Sequence, residues 1–159
     1  MFRPADDAGR AKARRSLGLP ADRPVVAFIG AVGHNRRNDF DVPFDARCRC
    51  HADSVWEAVF VLAGTGPELP YLRRRVAEAG REDDIRMLGF AKDIPSVLAA
   101  ADALTRPTRF EPYGQGVHEA PCCGLPVFMT RCAGIAERYP AESHDMLLDD
   151  PPGASQLPH

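Results

Sequence analysis

Arg106-Pro-Thr-Arg-Phe-Glu111-Pro-Tyr-Gly114-Gln-Gly116-Val-His-Glu119-Ala-Pro-Cys-Cys-Gly124-Leu-Pro126-Val127 is the stretch of this chain that decides its fold. It leaves the short apolar strand Ala103–Pro107, turns at Gly114, runs as a helix over Gly114–Cys123 and re-enters a strand over Leu125–Thr130. Strand, glycine turn, helix, strand is the building unit of a parallel sheet with crossover helices. Glu111 and Glu119 stand eight positions apart across the turn and helix. That layout sets one carboxylate at the mouth of a pocket and the other on the helix that follows. The backbone N–H groups between them are free to meet an anion.

The flanking sequence repeats the unit. Val25–Ala31 (VVAFIGA) and Val59–Ala63 (VFVLA) are continuous apolar runs, as expected of strands buried on both faces. Glu68–Gly80 carries Leu69, Leu72, Val76 and Ala79 at three- and four-residue steps, the stripe of an amphipathic helix. Ile85–Gly89 reads as a strand, Ile94–Ala101 as a helix with Asp93 as N-cap, and Met146–Leu148 as a sixth strand. Ahead of them, Ala8–Leu17 reads as a charged helix stopped by Leu17-Gly18-Leu19-Pro20. The expected organisation is an N-terminal charged helix or linker over 1–23, one Rossmann-like α/β domain over 24–150, and a loose tail over 151–159.

Bulk properties exclude several classes. A chain of 159 residues with 45% hydrophobic and 26% charged residues buries one ordinary core. A net charge of −2 gives no footprint for nucleic acid. The basic residues are 18 Arg against 2 Lys, a bias that with abundant Ala reads as genome composition rather than an anion-binding surface. No run reaches the ~18 apolar residues of a membrane span. The five cysteines are odd in number and follow a polar, Arg-rich opening, so reduced thiols in the cytoplasm are expected, with attachment to a membrane surface left open. Cys48-Arg-Cys50-His51 imitates a fragment of a metal site but lacks a second ligand pair at zinc spacing, and no metal is expected.

Four segments together resemble the C-terminal, donor-binding domain of the family 4 (group 1) glycosyltransferases of GT-B fold. These are Phe28-Ile-Gly-Ala-Val-Gly-His-Asn-Arg-Arg37, Leu62-Ala-Gly-Thr-Gly-Pro-Glu68, Leu88-Gly-Phe-Ala-Lys-Asp-Ile-Pro-Ser-Val-Leu-Ala-Ala-Ala-Asp102, and the two-glutamate motif. The resemblance implies retaining transfer of a sugar from a nucleoside diphosphate to an acceptor hydroxyl, with no cofactor or metal. Glu119 matches the glutamate that holds the ribose hydroxyls, and Glu111 the one that contacts the donor sugar. Tyr113, Gly114, Gln115 and Gly116 would offer backbone N–H groups to the sugar and distal phosphate. Gly30 and Gly33 would open the phosphate-facing loop, and Gly89 and Phe90 would lie by the base. Arg36 and Arg37 are the candidates for phosphate contact and complete the expected catalytic group with Glu111. From the residues alone, Glu119 can equally be a solvated surface charge, Glu111 a helix cap, and Arg36-Arg37 a solvated loop pair.

Departures from the family pattern qualify that expectation. The family has two similar domains about a cleft, and this chain corresponds to the second. Transfer by the isolated chain is therefore not expected. Arg37-Asn38-Asp39 replaces the usual Arg-Lys-Gly, so a lysine becomes neutral and a glycine acidic, a change of −2 in formal charge beside the expected diphosphate. Pro121 stands where an apolar helix former is usual. A non-catalytic nucleotide-sugar-binding module remains the alternative. It would be the donor half of a split enzyme, paired with a separate acceptor-binding subunit, or the remnant of a truncated gene. An unrelated doubly wound nucleotide binder is disfavoured, because Gly64-Thr-Gly66 lacks a Walker Lys-Ser/Thr and no Gly-x-Gly-x-x-Gly follows the first strand.

Overall fold

A computed structural model describes residues 1–33, 44, 57–108 and 114–149. Arg36, Arg37, Asn38, Asp39, Glu111, Tyr113, the Cys48–His51 cluster and the 151–159 tail lie outside the described residues. In chain order the elements are α1 (Asp7–Ser16), β1 (Val25–Ile29), β2 (Val59–Ala63), α2 (Leu69–Glu78), β3 (Ile85–Gly89) and α3 (Ile94–Ala100). There follow β4 (Ala103–Arg106), α4 (Gln115–Cys122), β5 (Val127–Thr130), two 3-10 helices (Gly134–Arg138 and Ala141–Met146) and β6 (Leu147–Leu148). The strands form one sheet in the order β3-β2-β1-β4-β5-β6, and every pairing is parallel. This is the Rossmann-like architecture expected from the alternating pattern.

Alternation along the strands fills two cores. Val25, Ala27, Val59, Val61 and Ala63 point to one face, where they join Val97 and Leu98 of α3 and Val117 and Ala120 of α4. Phe28, Phe60 and Leu62 point to the other, against Leu72 and Val76 of α2 and against Phe44. Burial on both faces is why these strands carry no polar alternation. The two 3-10 helices, which carry no apolar periodicity, were not anticipated from the sequence.

Glycine ends three of the helices by one device. Gly18, Gly80 and Gly124 have φ of 65°, 61° and 75°. After each, two backbone bonds close the helix, for example Gly124 N to Pro121 O at 2.9 Å and Leu125 N to Ala120 O at 3.1 Å. This is the Schellman arrangement. Pro121 therefore sits in the last turn of a helix that is already ending, where the missing N–H costs least.

Asp102, just before β4, ties α1 to the sheet. Its Oδ2 accepts from Arg14 Nη2 at 2.6 Å and from the Val25 amide at 2.7 Å, and Oδ1 accepts from Arg10. Arg14 is buried and also donates to the carbonyls of Ala100, Ala21 and Arg23. One carboxylate thus joins α1, the C-terminus of α3, β1 and the entry to β4. Removing it leaves a buried guanidinium without its counter-charge. The Asp102→Ala variant is expected to lose about 3 kcal/mol of stability, read as a lower urea midpoint at unchanged m-value.

Candidate donor site at the carboxyl edge of the sheet

Because all strands are parallel, their exits share one edge. The chain adds β2 and β3 on one side of β1, then returns to place β4, β5 and β6 on the other. The adjacent exits of β1 and β4 are therefore the topological switch point, where ligands of open α/β sheets bind.

The loops leaving β1 and β2 lie flat against each other. Gly30 N donates to Ala63 O at 3.1 Å and Val32 N to Thr65 O at 3.0 Å, so the ladder continues past the strands. A Cβ at Gly64 would stand 1.8 Å from Gly30 O, and one at Gly66 would stand 1.7 Å from Val32 O. Gly64-Thr-Gly66 is thus a backbone-packing motif rather than a phosphate cradle. Gly30 meets a side chain instead: its Cβ would fall 1.9 Å from Arg106 Nη1. At Gly33, among the described residues, nothing lies within 4 Å of a Cβ built there.

From β4 the chain passes Thr108, which is fully buried. Thr108 N donates to Thr130 Oγ1 at 3.1 Å, Thr130 Oγ1 donates to Thr108 O at 2.6 Å, and Cys132 Sγ donates to the same carbonyl at 3.0 Å. β5 therefore anchors the segment that leads to Glu111. Helix α4 then starts at Gly114, whose φ of 64° and ψ of 63° are left-handed. Gly114 has no side chain of its own to cap this end, and because α4 follows β4 in a parallel sheet its N-terminus lies at the carboxyl edge. Gly116 rests on the β1 exit, where its Cβ would be 3.9 Å from Ile29 Cβ.

Of the residues singled out from sequence, the structure brings Gly30, Gly33, Gly114, Gln115 and Gly116 to the switch point. Gln115 is exposed and Glu119 half-buried one turn further along α4. Gly89 and Phe90 leave β3, two strand spacings or about 10 Å across the sheet edge from β1. Gly89 needs its φ of 72° to turn there, and Phe90 stands 72% exposed. Asp93 caps α3 as expected, accepting from the Ser96 hydroxyl at 2.5 Å and the Ser96 amide at 3.2 Å. Those two bonds, the hydroxyl's first, hold its carboxyl below the usual range.

Sequence reading missed Arg106, Thr108 and Thr130. The available signal was a charged residue ending the otherwise apolar Ala103-Leu-Thr run. Burial pushes the Cys123 thiol up, so it is protonated at neutral pH and is not an activated nucleophile. A separate cavity of about 480 Å³ lies between residues 1–9, α1 and the start of α3, and no candidate site residue lines it. Among the described residues no group of three His, Cys, Asp or Glu side chains is placed for a metal ion. No described helix is long and apolar enough to cross a membrane.

Residues 23–156 match the family model described as glycosyl transferases group 1. The chain belongs to that family. It is 34% identical over 137 residues to a 2-deoxystreptamine N-acetyl-D-glucosaminyltransferase of Streptomyces fradiae, covering 84% of this chain and 32% of that protein. It is 31% identical over 155 residues to a D-inositol 3-phosphate glycosyltransferase of Salinispora arenicola, covering 91% and 35%. The chain thus spans about a third of the length of the relatives it matches. Among solved structures, Anabaena HepE in complex with UDP and glucose superposes with a TM-score of 0.73 at 25% identity, over 87% of this chain and 38% of that one. The C-terminal domain of a glycosyl transferase group 1 family protein from Francisella tularensis gives a TM-score of 0.74 at 21% identity, over 98% and 80%. The fold of this glycosyl transferase group 1 chain is therefore that of a single GT-B C-terminal-type domain.

The two kinds of glycine are separable by mutation. Gly64→Ala and Gly66→Ala each force backbone apart and are expected to cost about 1–3 kcal/mol. Gly33→Ala is expected to leave the thermal midpoint unchanged, yet to weaken nucleoside diphosphate binding because its methyl group enters the open space above the loop.

Proposed function

We propose that this chain holds a nucleoside-diphosphate sugar at the β1/β4 switch point, as the donor domain of a retaining, metal-independent glycosyltransferase. The observation that carries the reading is the left-handed glycine start of α4 resting on the β1 exit, with Glu119 one turn behind it. A helix N-terminus favours a phosphate. A carboxylate behind it accepts both hydroxyls of a vicinal diol, which suits the ribose. Glu111 would take hydroxyls of the donor sugar, Arg36 and Arg37 the phosphates, and the Gly89–Phe90 turn the base. The protein's contribution to transfer would be positioning and stabilisation of charge on the departing diphosphate. The UDP and glucose held by HepE support a nucleoside-diphosphate hexose as donor. The acceptors named for the Streptomyces and Salinispora enzymes are not carried over, since the chain matches only a third of each.

A second reading, a binding module without transfer activity, is favoured by Asn38-Asp39 where the family has Lys-Gly. The two readings share the donor site and differ in turnover. The 159-residue chain alone is expected to transfer no sugar, because positioning of the acceptor and exclusion of water require the facing domain. Mixing it with the N-terminal half of a full-length relative tests this. Transfer by the mixture supports a divided enzyme, while robust turnover by the chain alone overturns both readings.

Titration calorimetry with UDP, GDP and their sugars tests the donor site. Glu119→Ala is expected to weaken nucleotide binding by about 1.5–3 kcal/mol, the contribution of charged hydrogen bonds. Glu111→Ala is expected to weaken nucleotide-sugar binding while sparing the bare diphosphate. No heat with any ligand from folded protein would sink the donor site. Replacing Asn38 by Lys and Asp39 by Gly is expected to tighten diphosphate binding at low salt, with the gain shrinking as salt screens the loop.

A further inference from the structure

Beyond the last paired residue of β4, a side chain continues the ladder to β5. Leu104 N donates to Pro126 O at 2.9 Å, and Arg106 stands beside Met129 in the register. At two residues per repeat, Thr108 N leaves the same edge of β4 and Thr130 O is the carbonyl it would meet. That carbonyl accepts from Ala133 N at 3.1 Å instead, closing the turn that leaves β5. The Thr130 hydroxyl stands in for it. Oγ1 accepts from Thr108 N at 3.1 Å and donates to Thr108 O at 2.6 Å. A carbonyl could only accept, whereas a hydroxyl does both. It therefore fixes the two peptide groups on either side of the Thr108 Cα. Thr108 and Thr130 are 0% and 2% exposed, so water does not compete for these bonds.

Thr108 is where the chain departs for α4. Five residues separate it from Gly114, and Glu111 is the middle one. A connection that short reaches at most about 18 Å when fully extended, so the direction of its first peptide constrains all of it. We propose that Thr130 is a positioning residue of the donor site, whose hydroxyl sets the direction in which the chain leaves β4 and thereby governs engagement of the donor sugar by Glu111. The inference rests on the donor-site reading above and adds to it a residue that touches no ligand.

The test measures UDP-glucose against UDP, and GDP-mannose against GDP, by calorimetry on the full chain, with thermal unfolding run on every variant. Thr130→Val keeps the shape and loses both bonds. It is expected to lose on the order of ten-fold in affinity for the nucleotide sugar that the wild type binds, as a displaced charged contact would, while the affinity for the bare diphosphate holds. Thr130→Ser keeps the hydroxyl and should recover most of the loss. In a Glu111→Ala background, Thr130→Val should cause no further loss of sugar affinity, because the two changes remove one interaction. Thr130→Ala, which leaves room at the site, carries the same expectations if the Val variant does not fold. Equal losses for nucleotide sugar and diphosphate, full additivity with Glu111→Ala, or failure of both the Val and Ala variants to fold would show that the hydroxyl serves stability alone. Wild-type protein that binds none of the four ligands would overturn the donor site itself, a result distinct from failure of the Thr130 variants.

Discussion

β1 is hydrogen-bonded on both edges, to β2 along its whole length and to β4 at Val26 and Ala27. Everything that could meet a ligand in this domain leaves from that constraint. With β1 central, strands added before and after it must leave opposite sides. Their connecting loops diverge and open a crevice between β1 and β4. Gly33, the α4 first turn and Arg106 gather there because the topology has nowhere else to send them. Phe90 is carried to the flank of the crevice by β3 for the same reason.

Glycine does different work at each place around this crevice. At Gly64 and Gly66 it lets two loop backbones touch, continuing the parallel ladder beyond the strands. At Gly30 it admits a guanidinium. At Gly114 it supplies a left-handed residue at a helix start, where L side chains are disfavoured. At Gly33 no described residue comes within 4 Å of a Cβ built there. A glycine-rich loop at a strand exit is thus mainly a solution to packing.

The electrostatics are local. A net charge of −2 conceals two arginines that are buried among the described residues. Arg14 faces Asp102 and joins α1 to α3 and the sheet. Arg106 is held by a carbonyl and a ring face at the crevice. A buried cation with a close carboxylate has its field largely cancelled, which suits a structural tie.

The sequence by itself determined the strands and α-helices of the described residues, though not the two 3-10 helices, because the signals of the former are local. VVAFI and VFVLA have no polar alternation, and Leu69, Leu72 and Val76 keep helical spacing. Gly18, Gly80 and Gly124 follow helices whose ends they close. The resemblance carried by Glu119, Gly114 and the Gly-Thr-Gly segment also placed the chain in its family. Tertiary structure alone decided what those residues face. Gly64 and Gly66 read only as glycines that follow a strand until β1 is laid beside them. Arg106 reads as a strand-end charge until Gly30 is found beneath it. Thr108 and Thr130 carry no spacing that predicts their bond. Such roles depend on contacts between segments 22 to 77 residues apart in the chain. Local periodicity carries no information about those contacts, and only the parallel register of the sheet fixes them.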